Sequence, residues 1–311
     1  MAISSEIQAL ANLIRLVTRE ELLPRHGRLH ASQIHQHADG SLFTEADLRS
    51  EARLTAGARI IWPSIIATGE EEITADPSLL TRMAHKQDLI VFDPIDGTGA
   101  FKRGEDTYGV MGAYIKNGQT LAGIIYTPGH AQLQADGSYL PEKDILIMAE
   151  RGNGCYINGK RVSLSGRPTD IKTAQIAFAC RNQDKAYESI LANGVSGYMT
   201  RNNASHDYER LLSGASDATF YSEGLTPTGL GKCPPWDHAA GALAVQEAGG
   251  IVALPYGTQG QPYTPLLCHY QLLVCANPDL FQSVLQHVRT RAPALCTSRH
   301  IPAVLPGTPS P

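Results

Sequence analysis

The sequence is poor in the features that mark membrane, nucleic-acid-binding and secreted proteins. No apolar run in its 311 residues approaches the ~18 residues that a membrane span requires. The first twenty residues lack the basic, apolar and small-residue order of a signal peptide. With 26 Lys and Arg against 30 Asp and Glu, the formal net charge of −4 gives no reason to expect nucleic acid or a membrane as a partner. We therefore expect a cytoplasmic protein whose partners exclude membranes and nucleic-acid polymers.

Several reactive-site signatures are also missing. None of the six cysteines forms a CxxC pair, and no Cys/His grouping has zinc-ligand spacing. This pattern indicates reduced, scattered thiols, as in cytosolic proteins. No GxxxxGK[ST] occurs and no GxGxxG follows a strand, which disfavours a nucleotide-binding oxidoreductase. The string GxSxG is absent too, so nothing indicates a covalent intermediate on serine.

Hydrophobic spacing predicts two helices in the first sixty residues. The first carries apolar residues at helical spacing at Ile7, Leu10, Ile14 and Val17. The second runs from Thr44 to about Ile61, and Thr44 with Asp47 three residues later resembles a helix-opening cap. Residues 27–40 between them are polar and rich in histidine, so we interpret them as a solvated loop that could be mobile, although histidines can also bind a metal.

A buried strand and a hairpin are predicted in the middle of the chain. Residues 88–92 are apolar in composition and lead directly into Asp93. Residues 108–116 and 120–127 are apolar-rich runs joined at Asn117-Gly118, a strong turn signal. These runs indicate a mainly antiparallel sheet.

The remaining chain mixes helices and strands. A helix rich in small residues is expected from Asp237, as its N-cap, to Ala248 before a Gly-Gly stop. Helices, then a mainly antiparallel sheet, then mixed elements predict an α+β fold with two coupled parts. We expect an N-terminal α+β domain over residues 1–152, a C-terminal α/β domain over 153–295 and a disordered tail over 296–311.

The most specific signal is the run DPIDGT at residues 93–98. Asp93 ends the predicted strand and Asp96 follows three residues later, so a tight turn can aim both carboxylates into one space. Gly97 and Thr98 can then offer backbone N–H groups at the start of a helix, where an anion is favoured. A divalent cation would reconcile the carboxylates with a phosphate group, because it accepts both as ligands. The fragment DxxDG alone also matches an ordinary Asx turn.

Three further carboxylates stand at the ends of predicted elements. Glu70 belongs to an acidic triplet after a short strand, Asp237 opens the small-residue helix, and Asp47 opens the second helix. Simpler interpretations are a solvated acidic loop for the triplet and helix capping for Asp237. Four separated carboxylate sites at element ends nevertheless form the pattern that a multi-metal site requires.

These motifs together resemble the inositol monophosphatase family, within the wider group that includes fructose-1,6-bisphosphatase and 3'(2'),5'-bisphosphate nucleotidase. The matching strings are GEE at residues 69–71, DPIDGT at 93–98 and WDHAAG at 236–241, and the element order agrees from about Ile7 to Val288. The resemblance implies a layered αβαβα sandwich and a lithium-sensitive homodimer. It also implies two or three Mg²⁺ ions per site as the cofactor for hydrolysis of a small phosphorylated metabolite.

The resemblance further implies roles for the residues at the matching positions. Metal ligands are implied at Glu70, Asp93, Asp96, Asp237 and the carbonyl of Ile95. A group that orients and deprotonates the attacking water is implied at Asp47, Glu70 and Thr98. Phosphate or substrate contacts are implied at Asp96, Gly97, Thr98, Glu223 and Asp237. With these roles, a metal-activated water would attack phosphorus in line, without a covalent intermediate.

Three segments depart from the family pattern and leave the substrate open. Residues 99–101 read GAF where the family often has Asn before Phe. Residues 203–208 are bulkier and more polar than in the inositol phosphatases. The segment 222–235 is longer than usual, and this extra length weakens the match of Glu223 to the family's substrate contact. Arg181 and Arg201 could contact a second charged group of a substrate, or be surface residues without that role.

Three other functions compete with an inositol-phosphatase-like activity. A bisphosphate nucleotidase would need a base-stacking pocket, and 6% aromatic residues offer no obvious one. A histidinol or sugar phosphatase fits the same motifs. A catalytically silent phospholigand-binding protein would be expected to lack at least one of the implied ligands, and none is missing.

Overall fold

The computed structural model describes residues 3–37, 40–79, 88–128, 144–180, 186–200, 203–222, 233–256, 258–265 and 271–296. In this part of the chain the helices are α1 (Ser5–Val17), α2 (Glu45–Ile61), α3 (Glu70–Ala75), α4 (Thr98–Arg103), α5 (Glu188–Ala192), α6 (Ala204–Ser213), α7 (Pro235–Glu247) and α8 (Pro278–Arg291). The strands are β1 (Ile34–Gln36), β2 (Leu42–Thr44), β3 (Ile66–Gly69), β4 (Asp88–Asp96), β5 (Gly109–Lys116), β6 (Gln119–Thr127), β7 (Ile145–Glu150), β8 (Gly154–Ile157), β9 (Lys160–Arg161), β10 (Ile176–Cys180), β11 (Gly197–Met199), β12 (Ala218–Ser222), β13 (Ile251–Leu254), β14 (Gln261–Pro262) and β15 (Gln271–Cys275).

Seven strands form the first sheet, in the order β3-β4-β5-β6-β7-β8-β9. β3 and β4 are parallel, and the other neighbours are antiparallel. The β5–β6 hairpin turns at Asn117 and Gly118, whose φ angles of 50° and 75° are those of a turn with two left-handed residues. The predicted hairpin is therefore confirmed, and it continues into a sheet that is mainly antiparallel, as expected.

Six strands form the second sheet, in the order β11-β10-β12-β15-β13-β14. β10 runs parallel to both of its neighbours, whereas β12, β15, β13 and β14 pair antiparallel. Strands that are distant in sequence thus lie side by side, and the helices between them must pack on the faces of the sheet.

The two sheets and three helical layers form one stack. In β4, Ile90 and Phe92 pack in the core that α1 and α2 cover, whereas Leu89 and Val91 face the core of α6 and α7. On the second sheet, Tyr221 joins the core of α6 and α7, and the opposite face packs against α5 and α8. The layers therefore follow the order helix, sheet, helix, sheet, helix, which confirms the αβαβα sandwich.

α7 is the middle-layer helix that approaches the first sheet most closely. A Cβ atom added at Gly123 of β6 would lie 2.5 Å from the carbonyl oxygen of Ala240, so the small residues allow backbone-to-backbone packing. The predicted N-cap is wrong: α7 begins at Pro235, and Asp237 is its third residue. Proline is favoured in the first helical turn, where its fixed φ suits the helix and no N–H is needed.

Residues 27–37 are more ordered than the sequence interpretation expected. A 3₁₀ turn at Ala31–Gln33 leads into β1, which pairs with β2. The rings of His35 and His37 lie 5.1 and 4.3 Å from the ring of Phe43 on β2, and these contacts hold the segment as a hairpin. The expectation of a mobile loop is wrong for this part of the segment.

The structure does not test two of the sequence predictions, the disordered tail and the division into domains. The tail after residue 296 lies outside the described residues, and the division into domains at residues 152 and 153 stays a prediction. No helix in the described part of the chain has the length and apolar character to cross a bilayer.

Candidate metal and phosphate site

Three carboxylates from distant parts of the chain meet at one point. Glu70 opens α3, Asp93 lies in β4 and Asp237 lies in the first turn of α7. One oxygen atom of each lies within 4.8 Å of the other two. Asp93 is buried, and the other two side chains are half-buried. Carboxylate oxygens grouped in this way fit a hard divalent cation such as Mg²⁺ or Ca²⁺.

Electrostatics supports the same interpretation of this cluster. Burial raises the pKa of Glu70 well above its usual range, and the negative charge of Asp237 raises it further. Burial likewise raises the pKa of Asp93, with the charges of Glu70 and Asp237 as the next causes. Ionisation of all of these acids at once is unfavourable, because their negative charges are buried and repel each other. A bound cation would offset this repulsion.

The turn from residue 93 to residue 98 positions two of the predicted site residues. The β4–β5 register shifts between Asp93 and Asp96, and the Ile95 N–H donates to Asp93 Oδ1 over 3.0 Å. Gly97 then adopts a φ of 86°, and a Cβ there would lie 2.8 Å from the carbonyl oxygen of Thr107. Glycine is required at this point, and α4 begins directly after it, as the sequence predicted.

Asp47 and Thr98 lie beside the carboxylate cluster. The Thr98 hydroxyl lies 3.4 Å from Asp47 Oδ1 and donates to the Ile95 carbonyl over 3.0 Å. Asp47 Oδ2 accepts the backbone N–H of Thr44 at 2.8 Å, which confirms the predicted cap of α2. Burial raises the pKa of Asp47 to about 7, against the lowering effect of its hydrogen bonds.

Glu51 is a supporting residue that the sequence interpretation missed. Its two oxygens accept the backbone N–H groups of Glu71 at 2.8 Å and Glu72 at 2.9 Å, so it caps α3 from the neighbouring helix. A Cβ at Gly69 would lie 2.3 Å from Glu51 Oε2, so glycine leaves the space for this carboxylate. The sequence contains one signal that could have identified Glu51: it follows Asp47 by four residues on a predicted helix, so both side chains are expected on the same helix face.

Glu71 was also missed. It is 6% exposed, because the acidic triplet forms the first turn of a helix instead of a solvated loop. Burial raises its pKa to about 9, with the charges of Asp47 and Glu51 as further causes. His37 Nε2 lies 2.9 Å from Glu71 Oε2, which brings the β1–β2 hairpin against this side of the site.

Ser205 is the third residue that was missed, although its segment was singled out as unusual. Its backbone N–H and its hydroxyl both donate to Asp96 Oδ2, over 2.7 and 2.5 Å. The sequence interpretation connected residues 203–208 only with the choice of substrate, not with the support of Asp96. Glu223, Arg181 and Arg201 lie outside the described residues, so their expected contacts stay predictions.

Comparison with known proteins agrees with this geometry. The model of the inositol monophosphatase family matches residues 4–292. A putative Nus factor SuhB of Neisseria meningitidis serogroup B is 27% identical over 267 residues, 84% of this chain and 89% of the relative. An inositol-1-monophosphatase of Mesorhizobium japonicum is 31% identical over 172 residues, 52% of this chain and 55% of the relative.

A solved structure shares the fold. An IMPase of Thermotoga maritima superposes with a TM-score of 0.68 at 18% identity, covering 93% of this chain and 97% of that one. Layers, motif order and family model therefore agree, and the chain belongs to the inositol monophosphatase family.

Proposed function

We propose that this protein is a Mg²⁺-dependent hydrolase of small phosphate monoesters. The observation that carries the proposal is the carboxylate cluster of Glu70, Asp93 and Asp237 with the Asp47–Thr98 pair beside it. Family membership supports phosphatase chemistry in general, and the cluster supplies the donor set that this chemistry needs.

The cluster would hold two or three Mg²⁺ ions. The proposed ligands are Glu70, Asp93, Asp96, Asp237 and the carbonyl oxygen of Ile95. When bound, divalent cations supply Lewis-acid chemistry, because they lower the pKa of water and offset charge on phosphoryl oxygens. The raised pKa values of Glu70 and Asp93 support this assignment, since a cation is what would return both groups to their charged forms.

Asp47 and Thr98, with Glu70, are the groups proposed to handle the attacking water. The Thr98 hydroxyl can orient a water molecule, and Asp47 can take its proton because its pKa of about 7 matches a general base at neutral pH. The backbone N–H groups of Gly97 and Thr98 at the start of α4 would hold the phosphate. The water then attacks phosphorus in line with the leaving alcohol, with no covalent intermediate.

The substrate class is proposed to be a small phosphorylated polyol, sugar or histidinol. Asp96, Asp237 and Glu223 are the proposed substrate contacts. A bisphosphate nucleotidase remains the alternative within the same chemistry, and a silent phospholigand-binding protein is the alternative from another class. The exclusion of nucleic acid as a partner stays a prediction, since relatives in this family carry the name Nus factor. The cytoplasmic location, the homodimer and lithium inhibition are also predictions, which fractionation, light scattering and a Li⁺ titration can check.

A phosphate-release screen tests the proposal. The substrates are inositol, sugar, histidinol and nucleotide monophosphates and bisphosphates, each with and without Mg²⁺. We expect Mg²⁺-dependent release that Asp93→Asn abolishes, because this change removes a ligand charge from the centre of the cluster. The circular dichroism spectrum should stay unchanged.

The matched control for this experiment is Asp88→Asn at the other end of β4. Asp88 accepts a hydrogen bond from the Tyr114 hydroxyl at 3.1 Å and pairs with Lys116 at the surface, away from the cluster. It should keep wild-type turnover. Full activity in Asp93→Asn, or no release from any substrate by the wild type, would contradict the proposed function.

A further inference from the structure

A buried contact between two helices of the middle layer lies beside one of the proposed metal ligands. The hydroxyl of Tyr208 on α6 is hydrogen-bonded to Nδ1 of His238 on α7, over 3.1 Å. Both side chains are buried, each with 1% exposure. His238 directly follows Asp237, one of the three carboxylates of the cluster. The contact therefore joins α6 to the part of α7 that carries a proposed ligand.

The ring of Tyr208 also packs against the backbone of α7. A Cβ atom added at Gly241 would lie 2.2 Å from Cδ2 of this ring, so the glycine leaves the space that the ring fills. His238 and Gly241 are three residues apart in the helix and therefore lie on neighbouring positions of its surface. A side chain of α6 thus contacts α7 at two points, and two such contacts oppose rotation of the helix about its axis.

Asp237 lies between contacts on two different sides of α7. Successive residues of an α-helix are about 100° apart around its axis, so Gly241 lies about 40° to one side of Asp237, with His238 further round on that side. Ala240 lies about 60° to the other side, and its backbone meets β6 there. A rotation of about 10° would move a carboxylate about 5–6 Å from the axis by about 1 Å. The contact with Tyr208 therefore bears on where this carboxylate lies.

α6 is itself tied to the strand that supplies another carboxylate of the cluster. Ser205, three residues before Tyr208, donates its backbone N–H to Asp96 Oδ2 over 2.7 Å. Asp96 ends β4, the strand that also contains Asp93. α6 therefore connects the strand of one proposed ligand with the helix of another, and Tyr208 is its contact on the side of α7.

From this geometry we infer that Tyr208 is a positioning residue for Asp237. Its hydroxyl, through His238, and its ring, through Gly241, set the rotation of α7 and with it the place of the Asp237 carboxylate in the cluster. The inference rests on the proposed function only in taking Asp237 as a Mg²⁺ ligand. It gives a role to a residue of the unusual segment 203–208, which the sequence connected only with the choice of substrate.

Mg²⁺ titration by isothermal calorimetry on the full chain tests this inference without any turnover. Tyr208→Phe removes the hydroxyl and keeps the ring. We expect it to bind Mg²⁺ about tenfold more weakly than the wild type, since groups that orient a metal ligand typically contribute about 10- to 100-fold to affinity. Circular dichroism at the titration temperature should show both proteins folded, so that the affinity reports the site. In a phosphate-release assay, excess Mg²⁺ should restore most of the turnover, which a loss of folded protein would not allow.

Tyr221→Phe is the matched control. The ring of Tyr221 packs against the same histidine ring, with 4.8 Å between the centroids, and Tyr221 is as deeply buried as Tyr208. Its hydroxyl, however, has no hydrogen-bond partner in the described part of the chain. The control therefore removes a hydroxyl from the same aromatic cluster without removing a contact with α7, and it should bind Mg²⁺ like the wild type.

A double-mutant cycle tests whether the hydroxyl acts through its partner on α7. His238→Leu removes that partner, so adding Tyr208→Phe to it should weaken Mg²⁺ binding by less than about twofold further. If His238→Leu does not fold, the comparison of Tyr208→Phe with Tyr221→Phe decides the inference by itself.

Three results would overturn the inference. They are a Tyr208→Phe affinity within about twofold of the wild type, an equal loss of affinity in Tyr221→Phe, and a further loss of about tenfold when Tyr208→Phe is added to His238→Leu. A wild type that binds no Mg²⁺ would overturn the inference together with the proposed metal site. A wild type that binds Mg²⁺ but hydrolyses nothing would contradict only the proposed function.

Discussion

The buried proton of Asp47 links this residue to the stability of the whole fold. The folded protein holds that proton up to about pH 7, because burial disfavours the carboxylate, whereas the ordinary pKa is 3.8. Between these values the unfolded chain has released the proton and the folded protein has not. The stabilisation from this group is therefore complete below pH 3.8 and is lost as the pH rises through about 7.

We expect the metal-free protein to become less stable as the pH rises from about 4 to 7. The contribution from Asp47 is on the order of 4 kcal/mol, and the raised pKa values of Glu70, Glu71 and Asp93 act in the same direction. Chemical denaturation in EDTA at several pH values measures this. Asp47→Asn serves as the comparison and should show a shallower pH dependence, and equal slopes in the two proteins would contradict the pKa assignment.

The sequence identified the residues that carry the motifs but not those that support them. Asp93, Asp96 and Thr98 stand in one string after a strand, so local spacing alone placed them at a turn. Ser205 meets Asp96 from more than a hundred residues away, and nothing in the local spacing of either segment encodes that contact. A hydrogen bond between a buried carboxylate and a residue distant in sequence can be identified only from the tertiary structure.

At the scale of elements, α3 depends on a carboxylate from another helix. It has six residues, which is too short to be stable on its own, and its N-cap is glycine. Glu51 of α2 supplies the missing acceptors to the N–H groups of Glu71 and Glu72. Because Glu70 opens α3, the backbone beside this proposed ligand is held by α2.

Glu51→Gln tests this dependence. Glutamine keeps one acceptor oxygen and turns an NH₂ group towards the second N–H, so one hydrogen bond is lost and two donors face each other. We expect the free energy of unfolding to fall by about 1–3 kcal/mol and the Mg²⁺-dependent phosphate release to weaken. Glu45→Gln is the control and should change neither quantity, because Glu45 is a half-buried residue of the same helix that lies near His35 and makes no contact with α3 in the described hydrogen bonds. Wild-type stability and activity in Glu51→Gln would show that α3 needs no external cap.

Elements with a strong local signal were predicted well. α1, α2 and the β5–β6 hairpin follow directly from periodicity, a capping pair and an Asn-Gly turn. The strand order of the second sheet was not predictable from local sequence. In this sheet β10 pairs with β12 and β12 pairs with β15, and these strands are separated in the chain by helices whose packing decides which strands become neighbours. The predicted start of α7 at Asp237 is two residues too late. Two prolines precede this position, and proline occurs in the first turn of a helix as well as in loops, so the sequence alone does not decide where the helix begins.

At the scale of the whole molecule, the proposed metal site joins two parts of the chain. Glu70 directly follows the edge strand β3 of the first sheet, Asp93 lies in the neighbouring strand β4, and Asp237 comes from the helix between the sheets. A cation bound to all three carboxylates would connect these layers and offset their mutual repulsion. Metal binding should therefore stabilise the folded state as a whole.

We expect Mg²⁺ to raise the melting temperature and EDTA to lower it. At a concentration 100-fold above the dissociation constant, the stabilisation is about 2.7 kcal/mol. Differential scanning fluorimetry with a Mg²⁺ series measures the shift, which should be larger at pH 8 than at pH 5 because protons compete for the carboxylates. Asp93→Asn should show little shift, while Asp88→Asn should respond like the wild type. If millimolar Mg²⁺ did not change the melting temperature of the wild type, this result would contradict a metal site at this position.

The position of Asp237 in α7 also sets an order of events during synthesis on the ribosome. A nascent chain that has emerged as far as β6 already carries Glu70 and Asp93, yet it lacks the third carboxylate. α7 packs against β6 through the Gly123–Ala240 contact, so the helix must leave the exit tunnel before that carboxylate can dock. Capture of the proposed metal by all three carboxylates would therefore be a late event for each newly made molecule, and ribosome-bound intermediates shorter than α7 should not retain the ion.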